Sequence, residues 1–204
     1  MLKKICFLIT FAMAWNAYAV VPKHLDTPEN RGILKKTEEL LNSFTTMKSR
    51  FTQFSSKDGN YLQHGDFYLS RPNRMRMVYD KPADIQFIAD GYYLIYYDKG
   101  FDQVSYLEIN QTPAAILLKP DFSFDEPAFL VKDIASELDE YRITAVKNGE
   151  EELGELTLIV EGEPLSLKQW ELVDAKGIKS TVGLYETEKN LPLDSELFIF
   201  KKEN

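Results

Sequence analysis

Apolar residues recur along this chain at two periods, and the switches between them mark its elements. Ile33, Thr37, Leu40, Leu41 and Phe44 lie at helical spacing, one stripe of an amphipathic helix. Thr27-Pro28-Glu29 supplies its start: a capping hydroxyl, a proline suited to the first helical position, and an acid at the positive end of the dipole. The spacing predicts a helix over 28–44. Its stripe fits either a helix packed on a core or a lid facing a ligand cavity.

From Met47 the period becomes two. Phe51, Gln53 and Ser55 alternate with Thr52, Phe54 and Ser56, and Asp58-Gly59-Asn60 reads as a turn. Tyr61 to Ser70 predicts the next strand, with Phe67 and Leu69 on one face. Pro72 has no N–H for a sheet ladder, so it belongs at a strand end or edge. Arg74 to Tyr79 then sets Met75, Met77 and Tyr79 against Arg74 and Arg76. Ile85, Phe87 and Ala89 form another face, and Asp90-Gly91 is a hairpin signal. The strand that follows, Tyr92 to Tyr97 with Ile95 at its middle, is apolar on both sides. Something must cover each of them.

Thr112-Pro113 is a second cap-plus-proline start, and Ala114, Ala115, Ile116, Leu117 and Leu118 follow with no polar face. A helix apolar all round is buried, so this one plugs a hollow. Phe122, Phe124, Phe129 and Leu130 extend the apolar stretch, whereas Asp133 to Glu140 reads as a solvated face. Alternation returns over 156–160, at Trp170 and Leu172, and at Ile178, Val182 and Leu184 after a hairpin loop at Asp174-Ala175-Lys176-Gly177. Beyond a loop at Asn190-Leu191-Pro192, Phe198 and Phe200 predict a last short strand. The pattern gives one α+β domain, a long antiparallel sheet with few helices.

The ends and the charge narrow the class. Lys3 and Lys4, the apolar run Ile5 to Trp15 and Ala17-Tyr18-Ala19 make a secretory signal over 1–19, cleaved after Ala19. The domain then spans 20–204 and is exported. The chain carries 24 basic and 32 acidic residues, a net charge of −8, and losing the two signal lysines takes this to −10. Nucleic acid is excluded as a partner, since phosphate binding needs a basic footprint. The one cysteine, Cys6, lies inside the signal, so the mature chain has neither disulfide nor thiolate chemistry.

Catalytic and metal signatures are missing from the sequence. His24 and His64 have no partners at metal-ligand spacing. No Gly-x-Ser-x-Gly occurs, and an acidic pair such as Asp121 with Asp125 is ordinary in an acidic chain. No enzyme activity, cofactor or metal is expected. What stands out is an apolar surplus: 13 Phe, 11 Tyr and the pair Met75 and Met77. Flexible methionines suit a site that accepts variable apolar ligands. A filled core without a ligand is the competing reading.

The run Arg71-Pro72-Asn73-Arg74-Met75-Arg76 resembles the LolA family of periplasmic outer-membrane lipoprotein carriers. So do Arg50-Phe51-Thr52-Gln53, Tyr79-Asp80-Lys81-Pro82, Ile88-Ala89-Asp90-Gly91, Gln111-Thr112-Pro113 and Trp170 to Ala175, in that order. The segments at Thr112-Pro113 and Trp170 to Gly177 are most similar to its alphaproteobacterial branch. The resemblance implies an incomplete antiparallel β-barrel with a helical lid over a hydrophobic cavity. It implies a monomeric carrier that takes acylated lipoproteins from an inner-membrane ABC transporter. Delivery is to an outer-membrane receptor or to the outer membrane itself. A carrier or receptor for another lipid or glycolipid is the alternative on the same fold. The family's strand arginine, which bonds lid carbonyls, falls on Arg71, where a surface arginine before a proline is the plainer reading. Met75, Met77 and Phe87 fall on its concave wall. With them, Leu41, Phe51, Phe67, Ile95, Ile116, Leu117, Leu118 and Phe129 are the expected lining of the acyl-chain cavity.

Overall fold

The computed structural model describes residues 21–57, 61–112 and 115–202. The expected signal over 1–19, the turn at Asp58-Gly59-Asn60, and Pro113 with Ala114 lie outside the described residues. Helix α1 spans Pro28–Asn42, capped as expected by the Thr27 hydroxyl, which accepts from Asn30 N at 3.1 Å. Its stripe of Ile33, Leu34, Thr37, Leu40 and Leu41 is buried.

Strands β1 (Thr46–Ser55), β2 (Leu62–Ser70), β3 (Arg74–Tyr79), β4 (Ile85–Asp90), β5 (Tyr93–Asp98) and β6 (Gln103–Glu108) run as successive hairpins. A 3₁₀ turn at Ile109–Gln111 and the short helix α2 (Ala115–Leu118) follow. Then come β7 (Phe129–Glu137), β8 (Glu140–Lys147), β9 (Gly154–Glu161), β10 (Ser166–Asp174) and β11 (Lys179–Lys189). The two meanders join where β1 pairs with β11, giving one antiparallel sheet in the order β6-β5-β4-β3-β2-β1-β11-β10-β9-β8-β7. Register shifts in the β1/β11, β7/β8 and β9/β10 pairs add the local bend and twist that such irregularities produce. The sheet is curved and unclosed, with β6 and β7 as its edges.

Register fixes the two faces. Met47, Phe51 and Gln53 on β1 share one face with Phe67 and Leu69 on β2 and with Met75, Met77 and Tyr79 on β3. Phe87 and Ala89 on β4, Leu94 and Tyr96 on β5, and Val182, Trp170, Leu156 and Leu158 of the other meander complete it. This inward face and the apolar sides of α1 and α2 form the main core. Gly65 belongs to that row opposite Phe51. A Cβ there would lie 2.6 Å from the Phe51 ring and against the Val78 carbonyl. The glycine therefore leaves the space in which the Phe51 ring packs edge-on to Tyr79 at 5.0 Å.

The outward face of β4 and β5 is also covered, as their two-sided apolarity required. Ile88, Ile95 and Tyr97 are buried there. Phe200 packs on Tyr97 at 5.4 Å, and Leu197 offers its carbonyl to Arg76 Nη1 at 3.0 Å. The last short strand expected at Phe198 and Phe200 is instead a 3₁₀ turn, Ser195–Phe198, followed by an unpaired tail. Asp194 caps that turn by accepting from Glu196 N. The two phenylalanines reach the sheet through side chains, without joining its ladder.

Candidate functional site: a lidded apolar cavity

The chain between the sheet's edges, residues 109–128, crosses from β6 to β7. It carries α2 and the Phe122–Phe124 pair, and both bury into the inward face. α1 lies on the same face and is bonded to this segment along its length. Asn42 Nδ2 donates to the Phe122 carbonyl at 2.8 Å, and Asn42 Oδ1 accepts from Phe122 N at 2.8 Å. Glu38 Oε1 accepts from Ser123 Oγ at 2.9 Å and from Phe124 N at 2.5 Å. Arg31 Nη1 pairs with Asp125 at 2.7 Å. These contacts make α1 and the crossing segment one cover.

Arg71 ties that cover to the sheet. Its side chain leaves the end of β2 half-buried, with Nε donating to the Leu117 carbonyl at 3.0 Å and Nη1 donating to the carbonyls of Phe44, at 3.2 Å, and Leu41. The guanidinium carbon lies 4.7 Å from the centre of the Phe44 ring. Asn73 N adds a bond to the Leu118 carbonyl at 2.9 Å. Arg71 therefore meets the end of α1 and the end of α2 together. Burial lowers its pKa to about 10, so it stays cationic at neutral pH, when a charged donor is worth about 1.5–3 kcal/mol per hydrogen bond. Arginine's planar fork suits several acceptors at once.

Beneath the cover is a cavity of about 160 Å³. It is lined by Gln53, Met75, Met77, Tyr79, Phe87, Leu94, Leu117, Leu156, Trp170, Leu172, Ser180 and Val182. None of these side chains is charged. Rings run along its wall, Phe51 against Tyr79, Tyr79 against Phe87 and Phe87 against Tyr96, with centroids 5.0, 6.0 and 5.2 Å apart. A second hollow of about 460 Å³ lies beyond α2, among Tyr92, Ile109, Ile116, Lys119, Phe129 and Lys147.

The expected lining residues divide among these places. Met75, Met77, Phe87 and Leu117 line the smaller cavity, whereas Ile116 and Phe129 line the larger hollow. Leu41, Phe51, Phe67 and Leu118 are fully packed into the core around them. Ile95 is not on this face: it pairs with Ile88 on the outward side, near the C-terminal tail. A strand apolar on both sides does not reveal which side faces in. Thr112 also differs from its expected role, since its hydroxyl donates back to the Ile109 carbonyl at 2.9 Å. It closes the preceding 3₁₀ turn.

Tyr79, Trp170, Leu172 and Val182 join the wall although only their strand positions were evident from sequence. Their convergence depends on the β1–β11 pairing, which brings the second meander beside the first. Glu38 and Asn42 gave no signal, since a polar residue on an exposed helix face looks solvated until its partner is seen. Among the described residues, no group of three His, Cys, Asp or Glu side chains is placed to hold a metal ion.

The chain matches the family model described as outer membrane lipoprotein carrier protein LolA over residues 42–201. A protein of Halorhodospira halophila named outer-membrane lipoprotein carrier protein is 32% identical over 178 residues, covering 83% of this chain and 82% of its own. Its namesake in Methylococcus capsulatus is 30% identical over 182 residues, 85% and 83% of the two chains. In fold, a DUF1329 family protein from Desulfovibrio piger superposes with a TM-score of 0.53 at 10% identity, over 82% of this chain and 95% of its own. With a family match over more than half its length and an apolar, lidded half-barrel to go with it, this chain belongs to the LolA family of outer membrane lipoprotein carrier proteins.

Proposed function

We infer that this protein is a periplasmic carrier that shields the acyl chains of lipoproteins and moves them from the inner to the outer membrane, with no chemical step of its own. The observation that carries the reading is an uncharged, aromatic and Met-lined cavity under a cover held by the half-buried Arg71. An inner-membrane ABC transporter is the donor, and a receptor or the outer membrane itself is the acceptor. The carrier works as a monomer after its signal is removed at Ala19.

Magnitudes explain how such a device loads and unloads. The cavity of about 160 Å³ is small beside the roughly 300–1,000 Å³ of typical ligand sites. Loading therefore displaces the cover. A chain of about sixteen carbons gains on the order of 12 kcal/mol when buried, at about 0.8 kcal/mol per methylene. Breaking the Arg71 bonds offsets several kcal/mol of that gain at about 1.5–3 kcal/mol each. Re-forming them on emptying favours release.

The test is competition. A fluorescent fatty acid bound to the purified protein should be displaced by a triacylated lipoprotein and not by the same polypeptide without its acyl groups. Equal displacement by both forms, or no binding of either ligand, contradicts the reading. Preferential displacement by a glycolipid favours the alternative cargo.

A further inference from the structure

The apolar cavity has a polar end, and that end is the one away from Arg71. Along the inward face, Met47, Leu69 and Met75 lie at the Arg71 end of β1, β2 and β3. Gln53, Tyr79 and Ser180 lie at the opposite end of β1, β3 and β11 and line the cavity there. Met75 and Met77 are each 6% exposed. Gln53 and Ser180, like their neighbour Leu172, are only half-buried, so the cavity is approachable from this side.

The donors at that end are specific. Tyr79 Oη donates to Gln53 Oε1, which commits the amide oxygen. Among the described residues, none accepts from Gln53 Nε2 and none bonds the Ser180 hydroxyl, and neither atom is buried, because every buried polar side-chain atom has a partner. Two donors thus face accessible space at the mouth of an otherwise apolar, uncharged cavity. A neutral carbonyl complements them, since it only accepts. A carboxylate is a poor match, because leaving water for an uncharged site costs more than hydrogen bonds from neutral donors return.

We propose that Gln53 and Ser180 hold the ester or amide carbonyl of a bound acyl chain and discriminate esterified chains against free fatty acids. This rests on the carrier reading above. The chain then lies with its tail toward Met75 and Leu117 under the cover, and its linkage at the rim opposite Arg71. The attached polypeptide leaves from that rim.

Three probes of one chain length test this on the purified protein: a pyrene-labelled fatty acid, its methyl ester, and an alkyl pyrene without oxygen. The wild type should bind the ester about fivefold or more tighter than the acid. The variant Gln53→Met with Tyr79→Phe, which removes the amide without leaving the phenol unpaired, should lose about fivefold for the ester and keep its affinity for the alkyl pyrene. Ser180→Ala, a milder change at a half-buried position, should show the same selectivity at about two- to threefold. Equal effects on ester and alkyl pyrene in Ser180→Ala, or a wild type that prefers the free acid, overturn the proposal while leaving a carrier. Wild-type protein that binds none of the three overturns the carrier reading as well.

Discussion

Arg71 reaches both halves of the cover from one side chain, with donors at the Leu41, Phe44 and Leu117 carbonyls. Arg71→Leu leaves all three without their charged donor and should destabilise the closed, empty form by about 2–4 kcal/mol. A ligand that needs the open form then meets less competition. The apparent affinity for an acyl probe should rise about tenfold or more, while transfer of bound lipoprotein to acceptor membranes falls. Probe titration and a transfer assay read the two effects, and an unchanged variant would mean that Arg71 does not latch. Gly65 makes a different kind of prediction. The Phe51 ring 2.6 Å from where its Cβ would stand means that Gly65→Ala must push the ring or the strand, a loss of about 1–3 kcal/mol. Thermal melting would register this as a fall of several degrees.

At the scale of elements, α1 contributes through packing more than through its own helix propensity. Gly32 stands on its exposed side with nothing within 4 Å of an added Cβ. Gly32→Ala should stabilise the protein by about 1 kcal/mol. The acyl-probe affinity should stay unchanged, because the helix persists in both positions of the cover. What sequence revealed about the elements follows the same logic. α1 and the strands from β2 to β5 were evident because one face of each is buried and the other wet, or because a cap or turn residue marks the boundary. The edge strand β7 was not. Beyond its bulge, Asp133, Ala135, Ser136 and Glu137 are exposed, so this part of the strand lacks the alternation that burial imposes. The side of β5 that carries Ile95 was misassigned for the converse reason, since tail and cavity wall ask for the same apolar residues. Strand periodicity offered the wall around Met75 as a candidate, and only family resemblance offered the latch. The polar mouth at Gln53 needed the pairing of strands far apart in the chain.

For the whole molecule, stability and cargo handling respond to different groups. Glu171, on the outward face, is paired with Lys179 and Arg142 at 2.8 Å each. Burial acts to raise its pKa, but hydrogen bonds from Lys179 and Arg142 outweigh this and hold it below the ordinary glutamate value. The folded pKa is therefore lower than the unfolded one. Its stabilisation is full above the unfolded value, near pH 4.3–4.5, and is lost as pH falls through the folded one. Melting temperatures at pH 7 and pH 3.5 should fall further for the wild type than for Glu171→Gln. Arg71, with its pKa at about 10, keeps its charge across that range, so acid should weaken the sheet without deprotonating the latch. The central claim is that cargo enters by displacing a cover held at Arg71 and Asn73, and amide hydrogen exchange on the empty and lipoprotein-loaded protein tests it most directly. The amide of Asn73, bonded to the Leu118 carbonyl when the cover is closed, should lose protection on loading, while those at the centre of β1 and that of Phe122, bonded to Asn42 within the cover, keep theirs. Unchanged protection at the Asn73 amide in the loaded protein would contradict the account.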